Sequence, residues 1–173
     1  KKKIFLKYLN KNNKEYSWKD IYININKLSE EISKYIHKGD RCLIVSENRP
    51  EWLISDLSIM LSGGITVPAY TTYTERDYEY IIDDCTPSIL IISDKIQYSK
   101  IKKIISKKKF IKKIIFFEHI DEFNKEFHLN IDEIFEKKIE HNCDFFNLEI
   151  QRKDLACIIY TSGTEGNPKG VML

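Results

Sequence analysis

The sequence predicts an α/β fold in three α/β/α layers, with a mostly parallel sheet covered by helices on both faces. Short runs rich in Ile and Val alternate with longer segments in which apolar residues recur every three or four positions. Residues 88–92 form a continuous apolar run, typical of a strand buried on both faces of a parallel sheet. With 42% hydrophobic residues, six Gly and four Pro in 173 residues, the composition indicates one globular domain.

The first predicted elements are a weak strand at residues 3–9 and a long helix that begins after Ser17. Ser17 can cap the helix, and Asp20 favours the positive end of its dipole. We expect the helix to end at Gly39 as its C-terminal cap. One buried face is predicted from the spacing of Trp18, Ile21, Ile25, Leu28, Ile32 and Ile36.

The middle of the chain continues the alternation of strands and helices. Strands are predicted at 41–46, 65–69, 88–92 and 111–117, and helices at 50–61, 74–84 and 94–108. Pro50 suits a first helical turn, and Thr74 suits an N-cap. We expect Arg49 and Glu51 to tie the corner between a strand and a helix. A helix at 131–139, a loop at 149–153 and a strand at 155–160 complete the prediction.

The end of the chain carries a glycine-rich loop between two apolar runs. Ile158 and Ile159 precede it, and residues 171–173 follow it, which predicts a strand, a loop and a strand. Glycines allow backbone N–H groups to converge on an anion. Hydroxyl donors and one lysine charge complete a predicted cradle for a polyphosphate. The polar side chains are those of Thr161, Ser162, Thr164 and Lys169.

This loop is not a Walker A loop, because Pro168 precedes its lysine, Gly170 follows it, and the next residues predict a strand rather than a helix. The loop follows the carboxyl end of a predicted strand. Ligands of open α/β sheets bind beyond the carboxyl ends of strands, so topology and motif predict the same ligand position.

Residues 160–170 resemble the first core motif of the adenylate-forming superfamily, Tyr-Thr-Ser-Gly-Thr-Thr-Gly-x-Pro-Lys-Gly. Glu165 departs from the motif, since the family usually has threonine or serine there, and we expect its side chain to face solvent. Further segments resemble long-chain fatty acyl-CoA synthetases in the same order and spacing. These segments are residues 17–19, 38–41, 46–52, 64–70 and 154–156.

The resemblance implies that residues 1–173 are the front part of the large N-terminal AMP-binding domain of a longer enzyme. The acid pocket, the adenine site and the C-terminal lid are then expected beyond residue 173, and the chain alone is expected to be inactive. The complete enzyme would convert a long-chain fatty acid and ATP to acyl-adenylate and pyrophosphate. CoA would then displace AMP to form the thioester.

The resemblance also implies the roles of the loop residues. Lys169 is expected to act in catalysis by neutralising charge on the phosphates, which also carry Mg²⁺. The expected ATP-binding residues are Thr161, Ser162, Gly163, Thr164, Gly166 and Lys169. Two alternatives stay open: a ligase of shorter or aromatic acids, and a non-catalytic nucleotide-binding module in which Glu165 marks decay of the loop.

Charge and hydropathy restrict the partners. The net charge of +2 gives no global reason to expect nucleic acid, and no apolar stretch approaches the roughly 18 residues of a membrane span. The basic segment 100–113 predicts a solvated helix packed on the sheet, with Ile96, Ile101, Ile104 and Ile105 as its apolar stripe. Peripheral contact of this segment with anionic lipid is the alternative.

Cysteines and histidines predict neither a disulfide framework nor a metal site. Cys42, Cys85, Cys143 and Cys157 are far apart and lack Cys-x-x-Cys spacing, so a reducing, cytoplasmic compartment is expected. The four histidines are expected to be solvated surface side chains. They are His37, His119, His128 and His141.

Overall fold

A computed structural model describes residues 3–9, 13–121, 123–138, 149–161 and 168–173. Its elements in the first half are β1 Ile4–Lys7, β2 Glu15–Ser17, α1 Trp18–Ser33, β3 Arg41–Val45, α2 Pro50–Leu61, β4 Ile65–Ala69 and α3 Glu75–Cys85. The second half contains β5 Ile89–Ile92, α4 Lys95–Ile105, β6 Lys113–Phe116, β7 His128–Asn130, α5 Ile131–Glu136, β8 Ile158–Thr161 and β9 Lys169–Met172.

The centre of the fold is a five-stranded sheet with the order β4-β3-β5-β6-β7. All neighbouring pairs in it are parallel, which confirms the predicted parallel sheet. Helix α2 connects β3 to β4, α3 connects β4 to β5, and α4 connects β5 to β6. The strand order reverses at β3, so the chain winds in both directions from the middle of the sheet.

Helices cover both faces of the sheet and make the predicted three layers. Leu43 and Val45 of β3 belong to one core cluster with residues of α3 and α4. Cys42 and Ile44, the alternate residues, belong to the other cluster with residues of α1, α2 and α5. All four side chains are 0% exposed, as expected for a central strand of a parallel sheet.

The predicted helix starts are confirmed, and so is the tie at the strand–helix corner. Ser17 and Thr74 form capping boxes with Asp20 and Asp77, and Pro50 occupies the first turn of α2. The Arg49 guanidinium donates to Glu51 at 2.9 Å and to Glu118 at 3.0 Å. Arg49 thus links the start of α2 to the residues that follow β6.

Several predicted boundaries were wrong. Helix α1 ends at Ser33 rather than at Gly39, and Lys34 caps it in a right-handed conformation. Ile36 is still buried because the turn after the helix packs back on the core, which mimics the helical spacing. Gly39 instead lies in a turn with φ of +89°, and its N–H donates to the Gly63 carbonyl. Helix α4 ends at Ile105, three residues earlier than expected.

Three side chains differ from the expected burial. Trp18 is 52% exposed and packs on the ring of Phe5 instead of entering the core. Ile96 is 67% exposed, so it is not part of the buried stripe of α4. His128 is buried, and its Nδ1 accepts a hydrogen bond from the Asn124 N–H at 3.0 Å. The prediction of a solvated imidazole was therefore wrong for His128.

Two short pairings were not predicted. Strands β1 and β2 form an antiparallel hairpin that precedes α1, and β7 adds a three-residue edge strand to the sheet. No helix in the described part of the chain is both long and apolar enough to cross a membrane.

We expect Thr74→Ala to lower the free energy of unfolding by about 1 kcal/mol, because the Asp77 N–H at the start of α3 would lose its acceptor. Urea unfolding followed by circular dichroism measures the change. Thr72→Ala, an exposed position two residues earlier, is the matched control. Equal destabilisation by both substitutions would contradict the capping role.

Candidate functional site

The residues that flank the glycine-rich loop form an antiparallel two-stranded ribbon, β8–β9. Its register pairs Tyr160 with Gly170 and Thr161 with Lys169. The strand–loop–strand prediction is thus confirmed at both ends, although β8 covers Ile158–Thr161 instead of residues 155–160. Thr161 and Lys169 lie opposite each other on the ribbon, and both are exposed.

The other predicted loop residues lie outside the described residues. These are Ser162, Gly163, Thr164 and Gly166, together with Glu165. Of the six predicted ATP-binding residues, the structure therefore places only Thr161 and Lys169, and it brings these two together.

The ribbon lies along the free edge of the five-stranded sheet. The Thr66 N–H of β4 donates to the Ala156 carbonyl at 3.1 Å, and Thr66 and Cys157 form a parallel bridge. Strand β8 continues from this bridge parallel to β4. Thr161, the last residue of β8, therefore lies towards the carboxyl ends of the sheet strands. This is the side on which the sequence predicted the ligand.

Tyr160 fixes the end of β8 in the core. Its side chain is 2% exposed, and its hydroxyl donates to an Asp84 carboxylate oxygen at 2.5 Å. The Tyr73 hydroxyl donates to the Tyr160 carbonyl at 3.3 Å. Burial and the bond to Asp84 raise the pKa of Tyr160, so this hydroxyl remains a hydrogen-bond donor at neutral pH.

Gly170 allows the two strands of the ribbon to pack closely. A Cβ at this position would lie 2.8 Å from Cγ2 of Ile158 and 3.3 Å from Cζ of Tyr160. The Ile158 contact is shorter than real Cβ atoms show, so a larger residue would push β9 away from the anchored Tyr160. Glycine at position 170 therefore sets where Lys169 lies relative to Thr161.

Tyr73, Asp84 and the steric role of Gly170 were not predicted from the sequence. Tyr73 and Asp84 are 87 and 76 residues away from Tyr160 along the chain, so no local spacing connects them to the loop. The one signal for Tyr73 in the sequence was the mixed character of the segment before α3, where Tyr70 and Tyr73 lie among threonines.

The described part of the chain contains no group of three or more His, Cys, Asp or Glu residues that could hold a metal ion. The available chemistry at the ribbon is a hydroxyl and an ammonium group on opposite strands. A lysine ammonium is a compact positive charge that suits phosphate oxygens. A divalent ion at this place would fit as part of a metal–phosphate complex, since Mg²⁺ is commonly held by substrate phosphates.

The charged side chains of the corner at residues 47–52 are engaged in ion pairs. The Arg49 guanidinium is surrounded by the carboxylates of Glu47, Glu51 and Glu118, and its side chain is 9% exposed. The Tyr16 hydroxyl also donates to Glu51. These contacts indicate a structural corner.

Comparison with known proteins gives consistent matches. The protein-family model with the description "AMP-binding enzyme" matches residues 1–173. A fatty acyl-CoA synthetase A from Dictyostelium discoideum is 33% identical over 171 residues, which covers 92% of this chain and 25% of that protein. A long-chain fatty acid–CoA ligase from Rattus norvegicus is 27% identical over 161 residues, covering 91% of this chain and 22% of that protein.

Solved structures share the fold. An anthranilate CoA ligase in complex with anthranoyl-AMP has a TM-score of 0.77 at 21% identity, covering 92% of this chain and 30% of the other. ATP-bound MatB from Rhodopseudomonas palustris has a TM-score of 0.74 at 22% identity, and the match covers 99% of this chain and 32% of MatB.

The chain thus spans about a quarter of the length of the curated relatives, 25% and 22% in the two cases above. The protein-family model covers every residue, and the ribbon with its paired Thr161 and Lys169 stands where the predicted motif begins and ends. The chain belongs to the AMP-binding enzyme family.

Proposed function

We propose that this chain supplies the phosphate-binding part of a ligase that activates a long-chain fatty acid with ATP and transfers it to CoA. The observation that carries the proposal is the pairing of Thr161 with Lys169 across the β8–β9 ribbon, at the two ends of a glycine-rich loop. The name of the relative from Dictyostelium discoideum supports a fatty acid substrate, and that of the relative from Rattus norvegicus supports a long-chain one.

In the proposed reaction, the loop holds the β- and γ-phosphates of MgATP and presents the α-phosphorus to a fatty carboxylate. The carboxylate oxygen forms a bond to phosphorus, and pyrophosphate leaves. Lys169 neutralises charge on the phosphates as it develops. Thr161, Ser162 and Thr164 donate hydroxyl hydrogen bonds, while the backbone at Gly163 and Gly166 lets N–H groups approach closely.

The second proposed step is attack of the CoA thiol on the acyl carbon, with AMP as the leaving group. We assign residues 1–173 to the front part of the large N-terminal domain of this enzyme. The acid pocket, the adenine site and the lid belong to the remainder of the protein in this proposal. A cytoplasmic enzyme with peripheral access to membranes would suit a fatty substrate.

The test is acid-dependent exchange of labelled pyrophosphate into ATP by the complete protein that carries this chain. We expect palmitate to support exchange better than hexanoate or benzoate, measured as kcat/KM for each acid. Preference for the short or aromatic acid would replace the long-chain proposal. ATP binding without exchange for any acid in a broad panel would indicate a nucleotide-binding module.

We expect Lys169→Ala to lower the rate of pyrophosphate exchange by about 10- to 1,000-fold, the range for losing one electrostatic stabiliser. Lys169 is exposed, so the folded protein should retain its stability. Lys153→Ala, another exposed lysine on the segment before β8, is the matched control. An unchanged exchange rate for Lys169→Ala would remove this residue from the mechanism.

Tyr73→Phe should weaken ATP binding by about 2- to 10-fold, because one hydrogen bond that holds the end of β8 is worth about 0.5–1.5 kcal/mol. Isothermal titration with ATP in the complete protein measures the dissociation constant. Tyr70→Phe is the control, since Tyr70 is 65% exposed on the same loop. Equal effects of the two substitutions would show that the bond to the Tyr160 carbonyl does not position the loop.

A further inference from the structure

A groove of about 610 Å³ opens between α4 and the segment that leads to β7. From β3 to β6, each connection between consecutive strands contains a helix. The described residues between β6 and β7 form turns instead. Helix α4 covers β6 on this face, and within the described residues no helix connects β6 to β7. The groove has an apolar lining with a basic rim, from Tyr98, Ile105, Ile111, Ile114, Phe127, Lys102, Lys108 and Lys109.

The rim belongs to an unusually basic segment. Residues 95–113 contain no Asp or Glu, and their lysines are Lys95, Lys100, Lys102, Lys103, Lys107, Lys108, Lys109, Lys112 and Lys113. Some of these have partners within the fold. Lys95 pairs with Asp121, Lys108 pairs with Asp83, and Lys100 donates to the Thr71 carbonyl.

Three lysines of this segment have no such partner within the described residues. The side chains of Lys103, Lys107 and Lys109 are exposed and make neither an ion pair nor a hydrogen bond with the described residues. Nearby, the Phe127 ring is 46% exposed at the rim of the groove. Lys109 lines the groove together with Phe127, while Lys103 lies in the last turn of α4 and Lys107 in the turn after it. We call these three lysines, the Phe127 ring and the apolar groove the α4 surface.

We propose that the α4 surface binds an anionic lipid bilayer. Lysine clusters on amphipathic helices are attracted to anionic lipid headgroups, and aromatic rings enter the boundary between headgroups and acyl chains. Lys103, Lys107 and Lys109 lie along the end of α4 and the turn after it. Lys109 lines the groove, whereas Lys103 and Lys107 do not, so the three lysines do not converge on that one pocket and a layer of headgroups fits better than a single soluble anion.

The position of the α4 surface is compatible with the proposed catalysis. A crossover helix runs opposite to the strands it connects, so the last turn of α4 lies at the amino edge of the sheet. Thr161 and Lys169 lie towards the opposite, carboxyl edge. Bilayer contact would leave the glycine-rich loop open to MgATP. The choice of a lipid partner rests on the proposed function, because a fatty acid substrate partitions into membranes.

Flotation with vesicles tests the proposal in the complete protein. We expect binding to phosphatidylcholine vesicles that contain phosphatidylserine, and little binding to phosphatidylcholine alone. The triple variant Lys103→Gln, Lys107→Gln, Lys109→Gln should bind about 100-fold more weakly, from about 1 kcal/mol per lysine near an anionic surface. In the triple variant, pyrophosphate exchange measured without vesicles should not change. A negative result in the vesicle assay is therefore distinguishable from a lack of ligase activity.

The matched control removes the same charge elsewhere. A second triple variant replaces three exposed lysines outside α4, by Lys14→Gln, Lys19→Gln and Lys153→Gln. It should alter vesicle binding by less than about threefold, because distant charges are screened. Phe127→Ala should weaken binding about tenfold, and this loss should persist at high salt because it is apolar. The Phe127 backbone bonds to Ile114 and Asn124 do not involve the ring.

Three results would overturn the proposal. Equal losses in the two triple variants would mean that only overall charge attracts the protein. Displacement of vesicles by duplex RNA at equal charge concentration would indicate a nucleic-acid surface. Saturable binding of monomeric decanoate, blocked by Phe127→Ala and without any vesicle binding, would indicate a pocket for a single soluble amphiphile.

Discussion

The buried Tyr160 side chain holds the candidate site to the rest of the fold. The β8–β9 ribbon is largely exposed, and every residue of β9 faces solvent. Tyr160 is the residue of β8 that enters the core, and its hydroxyl ends on Asp84 of α3. An exposed two-stranded ribbon is at best marginally stable by itself. The position of Thr161 therefore depends on the hydrogen bond from Tyr160 to Asp84 and on the aromatic ring of Tyr160 that packs in the core.

The sheet itself provides the rigid base for this anchor. Its second strand β3 is buried on both faces, and helices on each side complete two separate apolar clusters. Asp84 lies in the last turn of α3, and Tyr73 immediately precedes Thr74, whose capping box fixes the first turn of that helix. The two groups that contact Tyr160 therefore lie at or next to opposite ends of α3. A shift of α3 along the sheet would move both contacts and reposition Thr161.

Features governed by local chemistry could be predicted from the sequence. Caps at Ser17 and Thr74, the proline turn at Pro50 and the continuous apolar strand near Ile91 depend on neighbouring residues, and all were found. Features governed by packing between distant parts of the chain could not be predicted from the sequence. Ile36 is buried by a turn that folds back on the core, which extends the apparent helical spacing past the true end of α1.

The same division applies to the candidate site. Thr161 and Lys169 followed from a motif in which spacing carries the chemistry. His128 was expected at the surface, yet its ring lies among Tyr98, Phe116 and Phe123, which the fold brings together. Tyr73 became visible only once the fold brought it beside Tyr160. A sequence therefore reveals a site whose groups are contiguous, while the groups that support it emerge from tertiary contacts.

The bridge between Thr66 and Cys157 has a consequence for the order in which the molecule assembles. It closes a segment of about 90 residues, and the conformational entropy lost in such a closure is recovered only when the contacts at both ends exist. The intervening strands and helices must first form the sheet edge on which β8 rests, since long-range pairings form slowly. The β8–β9 ribbon is thus expected to dock last, on a sheet that is already complete without it.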